Sequence, residues 1–178
     1  GRSAFDGCDE LVEIHYNAVN VEDLEESNFV FYRVGRDSEV NVIFGAKVER
    51  IPANLFMPYA GSGRWGNYDK TDCTPALKSV TFEENSVCKS IGQRAFGYCE
   101  TLEKIVIPES VVEFGKDAFY VCTGLETAGP AGGGYNYEFE WTEAIPDYAF
   151  SDYVISYAGK ELNSITLPDT IQRIGAHA

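Results

Sequence analysis

Five cysteines and two histidines are the side chains of this sequence with the widest chemical repertoire. Thiolates and imidazoles hold zinc when three or four of them cluster at short spacing. Here no C-x-x-C occurs and the histidines stand far apart, at His15 and His177, so no metal site is expected. An odd number of cysteines also fits poorly with a disulfide framework. Gly61-Ser62-Gly63-Arg64-Trp65-Gly66 has the form G-x-G-x-x-G. A dinucleotide site needs a strand before that run, a helix after it and an acid further on. Pro58 and Tyr59 precede it and Asn67-Tyr68-Asp69 follow, so a surface loop is the better reading. Glu25-Glu26 and Glu83-Glu84 are adjacent carboxylates. A glycosidase needs its two acids on opposite sides of a cleft, and adjacent pairs read as solvated surface. No nucleophile elbow, phosphate-binding P-loop or H-E-x-x-H is present. The expectation is no catalytic residue, no cofactor and no metal.

Charge narrows the partners. The 178 residues carry 14 Lys plus Arg against 28 Asp plus Glu, a formal net charge of −14. Nucleic acid and anionic membrane surfaces both require a basic face, and neither is expected as a partner. The uncharged stretches are rich in Gly and polar residues, so no membrane-spanning helix is expected. The chain opens GRSAFDGCDE, without the basic and then apolar run of a signal peptide. An apolar fraction of 44% is ample for a core and excludes a disordered acidic tail.

The elements that would position these residues repeat. Ala4-Phe5, Ala95-Phe96 and Ala118-Phe119 each continue as A-F-x-x-C-x-x-L, ending on Cys8 and Leu11, Cys99 and Leu102, and Cys122 and Leu125. Each Leu opens a short alternating run, as in LEKIVI, LKSVTF, LNSITL and LVEIHY. Period-two alternation marks half-buried strands. Pro108 or Pro168 then ends the strand, and an I-G or F-G pair leads into the next A-F. Phe96 to Phe119 is 23 residues, which sets the unit. Phe119 to Phe150 is eight longer, matched by PAGGGYNY near residues 130–137. Phe56 to Phe96 is 17 longer: fifteen residues fall between Phe56 and Leu77 and two in FEENSVCKSI. Phe5 to Phe56 is 51 residues, room for two coils, so one degenerate coil is expected between Tyr16 and Phe31. One unit cannot bury its apolar face alone, whereas stacked units bury a shared column. Strand Leu, Ile and Val should form one wall, and the A-F Phe with the following Cys the other. Cys8, Cys99 and Cys122 are therefore expected inside as reduced thiols, with Cys73 exposed in an insertion. Gly92, Gly115 and Gly175, just before the A-F turns, are expected to adopt positive φ.

The run Ala95, Phe96, Cys99, Leu102, Ile105, Ile107, Pro108, Ser110, Val111, Phe114 and Gly115 resembles the BspA-type leucine-rich repeat of bacterial surface proteins. The segments 1–16 and 145–175 match in part, while the insertion at 57–74, the Gly-rich insertion, Leu55-Phe56 in place of A-F and the strand replacement LETAGP depart from the pattern. The resemblance implies an α/β repeat solenoid, a right-handed leucine-rich-repeat superhelix with a parallel sheet on its concave side and turns or short helices elsewhere. A parallel β-helix is the alternative. Residues 1–178 read as a single domain of about six coils, cut from a longer array, since neither end carries the polar cap of a terminal repeat. The resemblance also implies an extracellular or cell-surface, non-enzymatic interaction or adhesion module for host or bacterial surface proteins. A structural spacer and a carbohydrate-binding module, with glycans as partners, are the rival readings. Two sets of residues are candidates for binding. Outward strand positions, Glu13, His15, Asn41, Ile43, Ser79, Thr81, Lys104, Val106, Ser164 and Thr166, should align in rows across the sheet. Aromatics of the insertions, Tyr59, Trp65, Tyr68, Tyr135, Tyr137 and Trp141, together with Tyr153 and Tyr157, could offer stacking surface.

Overall fold

The alternating runs form short strands, all paired in parallel, in the computed structural model, which describes residues 2–58, 74–155 and 162–178. In chain order the strands are β1 (Glu13–Tyr16), β2 (Val40–Phe44), β3 (Arg50–Ile51), β4 (Leu77–Phe82), β5 (Ser90–Ile91), β6 (Lys104–Ile107), β7 (Glu113–Phe114), β8 (Thr127–Pro130), β9 (Tyr137–Phe139), β10 (Ala144–Ile145), β11 (Ser164–Ile165) and β12 (Arg173–Ile174). One sheet of seven strands dominates, in the order β1-β2-β4-β6-β9-β8-β11. The I-G segments make much smaller sheets, β3-β5-β7 and β10-β12, of two residues per strand. The chain is thus a repeat solenoid with one principal parallel sheet, and no helix occurs among the described residues.

Register follows the repeat. Ile14, Val42, Val80 and Ile105 are successive partners across β1, β2, β4 and β6. Their side chains point to one face, and Val42, Val80 and Ile105 are fully buried. Opposite them stands a column of rings. Phe5, Phe31, Phe56, Phe96 and Phe119 stack in sequence, with centroids 5.0, 4.8, 5.5 and 5.5 Å apart. Phe31 supplies the degenerate coil that the 51-residue spacing required. The rings are spaced by the backbone: Phe5, Phe56 and Phe96 donate N–H bonds to the carbonyls of Val30, Ala95 and Ala118 on the following coils. Burying each ring contributes about 1.5–3 kcal/mol, and each stacked pair about 0.5–1.5 kcal/mol more.

The turn through A-F obeys a local rule. Residues before it, at Ser3, Phe29, Asn54, Arg94, Asp117, Tyr148 and His177, all have positive φ between 43° and 61°. The glycines expected to do so do not. Gly92, Gly115 and Gly175 are needed for close approach instead. A Cβ at Gly92 would lie 2.5 Å from Ala53 N, at Gly115 2.3 Å from Gln93 N, and at Gly175 2.5 Å from Asp147 N. Each sits where one coil's backbone passes directly over the next, so side-chain volume and not φ excludes other residues.

Two further expectations change. Cys8 is exposed, while Cys99 and Cys122 are buried, and all three are free thiols. Cys8 occupies the same repeat position, but among the described residues its coil is packed only against the coil that follows; Phe5, stacked on Phe31, is 44% exposed in the same coil. The Gly-rich stretch is also more than an insertion loop. Counting 23 residues on from Ile105 and Ile107 reaches Ala128 and Pro130, in β8. The place beside β6 is taken instead by β9, with Ile105 opposite Tyr137 and Ile107 opposite Phe139. β8 is displaced one position outward and pairs with β9 on one side and β11 on the other. Ala128 and Pro130 are too small to fill the core beside Ile105 and Ile107, whereas Tyr137 and Phe139 fill it.

Candidate interaction face

The outward positions of the sheet align as alternation predicted. Glu13 is opposite Asn41, Asn41 opposite Ser79, and Ser79 opposite Lys104. A second row runs His15, Ile43 and Thr81, and Val106 follows Ile105, the partner of Val80. Ser164 pairs with Thr127 at the far side of the sheet, and Thr166 N–H bonds to Ala128 O at 2.9 Å. Polar contacts run both across and along the strands: Ser79 Oγ of β4 donates to Asn41 Oδ1 of β2 at 2.6 Å, and within β1 His15 Nε2 of the second row lies 2.7 Å from Glu13 Oε1 of the first. The second row is mixed. Ile43 and Val106 present apolar side chains outward, on either side of Thr81, and all three are half-buried. The structure therefore brings Glu13, His15, Ser79, Thr81, Lys104 and Val106 onto one face. Ser164 and Thr166 join it at the β11 edge, where the inward-register Ile165 and Leu167 are also exposed, at 46% and 40%.

One residue of this face is not apparent from the repeat. Glu138 is opposite Val106 in β9 and continues the second row, yet it is only 2% exposed. The Gly-rich turn folds back over it. Gly132 and Gly134, with φ of 81° and 80°, aim their N–H groups at its two carboxylate oxygens, each at 2.9 Å. Lys104 Nζ lies 3.2 Å from Oε1. Burial alone would raise the carboxyl's pKa, but the Gly132 amide, the Lys104 ammonium and the Gly134 amide together hold it below the usual glutamate range. The Tyr135 ring covers Gly129 and Gly133, at either of which a Cβ would come within 2.4 Å of it. The turn and this ring make a fixed ridge that bounds the open face. The signal was G-G-G ahead of an alternating Y-N-Y-E-F, readable as a turn and a strand once the acid is seen to need donors.

The aromatic candidates divide. Tyr137 is a core residue, fully buried, edge-on to Phe119 with ring centroids 5.6 Å apart, and its hydroxyl donates to Ala149 O at 3.4 Å. Trp141, 2% exposed, stacks on Phe139 and donates its indole N–H to Val111 O at 2.9 Å. Burial against the coils removes both as sugar-stacking platforms. Tyr135 is half-buried in the ridge. Tyr153 is exposed and packs on Tyr148, which stacks on His177. Tyr59, Trp65, Tyr68, Tyr157, Cys73 and the G-x-G-x-x-G run lie outside the described residues.

The buried thiols have surroundings unsuited to reactivity. Burial raises the pKa of Cys99 and Cys122 well above that of a free thiol, and pushes Cys88 up to about 11. Cys122 Sγ donates to Phe96 O at 3.1 Å. These are packing residues. No group of three or more His, Cys, Asp or Glu placed to hold a metal ion occurs among the described residues, and no described helix is long and apolar enough to cross a membrane.

Comparison with known proteins adds to this geometry. Residues 69–130 match the family model described as "BspA type Leucine rich repeat region (6 copies)". No curated protein matches the chain. Among solved structures, the chain is similar to a leucine rich cell surface protein from Faecalibacterium prausnitzii A2-165, at 23% identity and a TM-score of 0.48. The match covers 94% of this chain and 44% of that one, so the chain spans less than half the length of that structure. The matched segment holds the A-F-x-x-C-x-x-L turns at Phe96 and Phe119 and strands β4, β6 and β8, so the similarity to a BspA-type leucine-rich repeat region rests on residues 69–130.

Proposed function

We propose that the chain is a non-enzymatic protein-interaction module, residues 1–178 forming one solenoid unit of an extracellular or cell-surface protein. The observation that carries this reading is the second outward row. A spacer needs only small, solvated side chains on its open face. Here Ile43 and Val106 are held outward beside Thr81, bordered by Lys104 and by the ridge over Glu138. Apolar side chains ringed by polar and charged groups are the usual composition of a protein-binding patch. A rigid sheet presents them without ordering cost on binding. The adhesive role and cell-surface setting are what the BspA-type repeat implies.

The test is binding of the purified chain to intact bacterial and host cells and to their surface-protein extracts. Wild type is compared with Ile43→Arg and Ser79→Arg on the face and with Lys116→Glu away from it. Saturable binding lost in the two face variants and kept in the third is the expected result. Absence of saturable binding, or equal loss in all three variants, would overturn the reading.

A further inference from the structure

Beside the outward rows, at the C-terminal ends of β4 and β6, lies a groove of 740 Å³ that the repeat itself does not require. It originates in the two extra residues of FEENSVCKSI. Val80 to Ile91 spans eleven positions, whereas Ile105 to Phe114 spans nine. The surplus sits in Glu83-Glu84-Asn85-Ser86, where Asn85 turns the chain at φ 59° and the segment lines one side of the groove. Phe82, Val106 and Pro108 supply apolar surface, and Thr81 and Val106 make the groove continuous with the interaction face. Phe82 has the inward register of its strand and stacks on Phe44, yet it stays half-buried because the widened turn leaves it open on the groove side.

Around this apolar floor stand Glu83, Glu84, Glu109 and Glu140, and among the described residues no Lys or Arg lines the groove. They come from three successive strand ends, so they are spread across coils about 4.8 Å apart. Glu83 accepts from Ala46 N at 2.9 Å and Glu109 from Thr142 Oγ1 at 3.1 Å, which fixes both carboxylates by hydrogen bonds that leave their charge uncompensated. Glu84 and Glu140 are exposed and enter no ion pair among the described residues. In the wall, Ser110 Oγ has no hydrogen-bond partner among the described residues, and a hydroxyl rotor can serve either a donor or an acceptor. The net charge of −14 adds a long-range field of the same sign.

We propose that this groove docks an extended basic segment of a protein partner, with Lys or Arg side chains along the carboxylate rim and an apolar side chain on the Phe82, Val106 and Pro108 floor. The proposal deepens the interaction reading and rests on it. Charge complementarity selects the sign of the partner, and the apolar floor selects a peptide over a simple cation. A polyamine would satisfy the rim and leave the floor wet.

The experiment is fluorescence anisotropy of the purified chain with a short labelled peptide in which two Lys and one Arg flank a central Leu. The same peptide with Leu→Ser, one with every basic residue replaced by Glu, and spermine as competitor complete the set. The basic peptide should bind saturably and weaken steeply with salt, and the acidic one should not bind. Leu→Ser should weaken binding about tenfold, the worth of one buried apolar side chain. Glu84→Gln with Glu140→Gln, both exposed sites, should weaken it by about tenfold or more with the thermal midpoint unchanged. Indifference to Leu→Ser, full displacement by equivalent spermine charge, or indifference to the double variant would each overturn the assignment. If no basic peptide binds while cell binding through Ile43 and Ser79 persists, the groove proposal fails and the interaction reading stands. If cell binding also fails, both fall.

Discussion

Replacing one ring of the phenylalanine column measures how stability is shared along the solenoid. Phe96 is fully buried, stacked at 5.5 Å on both Phe56 and Phe119 and edge-on to Phe44 at 6.3 Å. Phe96→Ala removes a full ring together with its two stacking interactions and one edge-on interaction, and leaves a cavity that two rigid backbones prevent from closing. The expected cost is about 3–5 kcal/mol. Phe5 occupies the equivalent position but is 44% exposed and stacks on Phe31 alone. With roughly half the transfer free energy at stake and a single stacking interaction to remove, Phe5→Ala should cost about 1.3–3 kcal/mol. Urea unfolding followed by far-UV circular dichroism gives both values, and a stability of about 5–15 kcal/mol leaves room to read them. Nearest-neighbour coupling also predicts that Phe96→Ala lowers the denaturant slope, because coils on either side of the gap lose cooperativity. Equal costs for the two variants would refute the claim that the stacked column, rather than each coil by itself, holds the fold together.

The close approach of coils at the I-G turns is tested by Gly115→Ala. Its Cβ would meet Gln93 N at 2.3 Å, so a loss of about 1–3 kcal/mol in thermal or urea unfolding is expected. Thiol accessibility is tested with a maleimide on a Cys73→Ser background. Cys8 should label rapidly in the native state, and Cys88, Cys99 and Cys122 only on unfolding, as their burial and raised pKa require; fast labelling of Cys99 would contradict the packing. Glu138 is tested by Glu138→Gln, which removes the Lys104 ion pair and weakens the bonds from Gly132 and Gly134. A loss of about 1–3 kcal/mol is expected at neutral pH. Because the folded carboxyl is held below its unfolded value, its stabilisation is present above about pH 4.3 and lost as pH falls through the folded pKa. The gap between wild type and variant should therefore close on acidification, measured as urea midpoints across that range.

The parts legible in the sequence are those that each coil makes for itself and repeats. Alternation at Val42, Val80 and Ile105 fixes which face is inward, because a one-residue slip would turn the whole strand outward. The 51-residue interval before Phe56 demanded a further ring, and Phe31 provides it, since a gap in the column would leave Phe5 without a stacking partner and Phe56 stacked on one side only. Features that depend on a neighbour are not written in the repeat. Cys8 and Cys99 have the same motif around them, yet one is exposed and the other buried, because burial comes from the coil stacked above and below. Gly92 and Gly115 look like turn glycines in one dimension; only the adjacent backbone shows that a Cβ has nowhere to go. The competition between β8 and β9 for the place beside β6 is of the same kind. Counting along the chain assigns the slot to Thr127–Pro130, and side-chain volume gives it to Tyr137–Phe139. That exchange carries Glu138 into the outward row, supplies it with donors from a turn that would otherwise read as a flexible glycine loop, and raises the ridge beside Val106. The face on which binding is proposed thus takes its edge from a coil that exceeds the 23-residue unit by eight, and its groove from two of the residues by which another coil exceeds it.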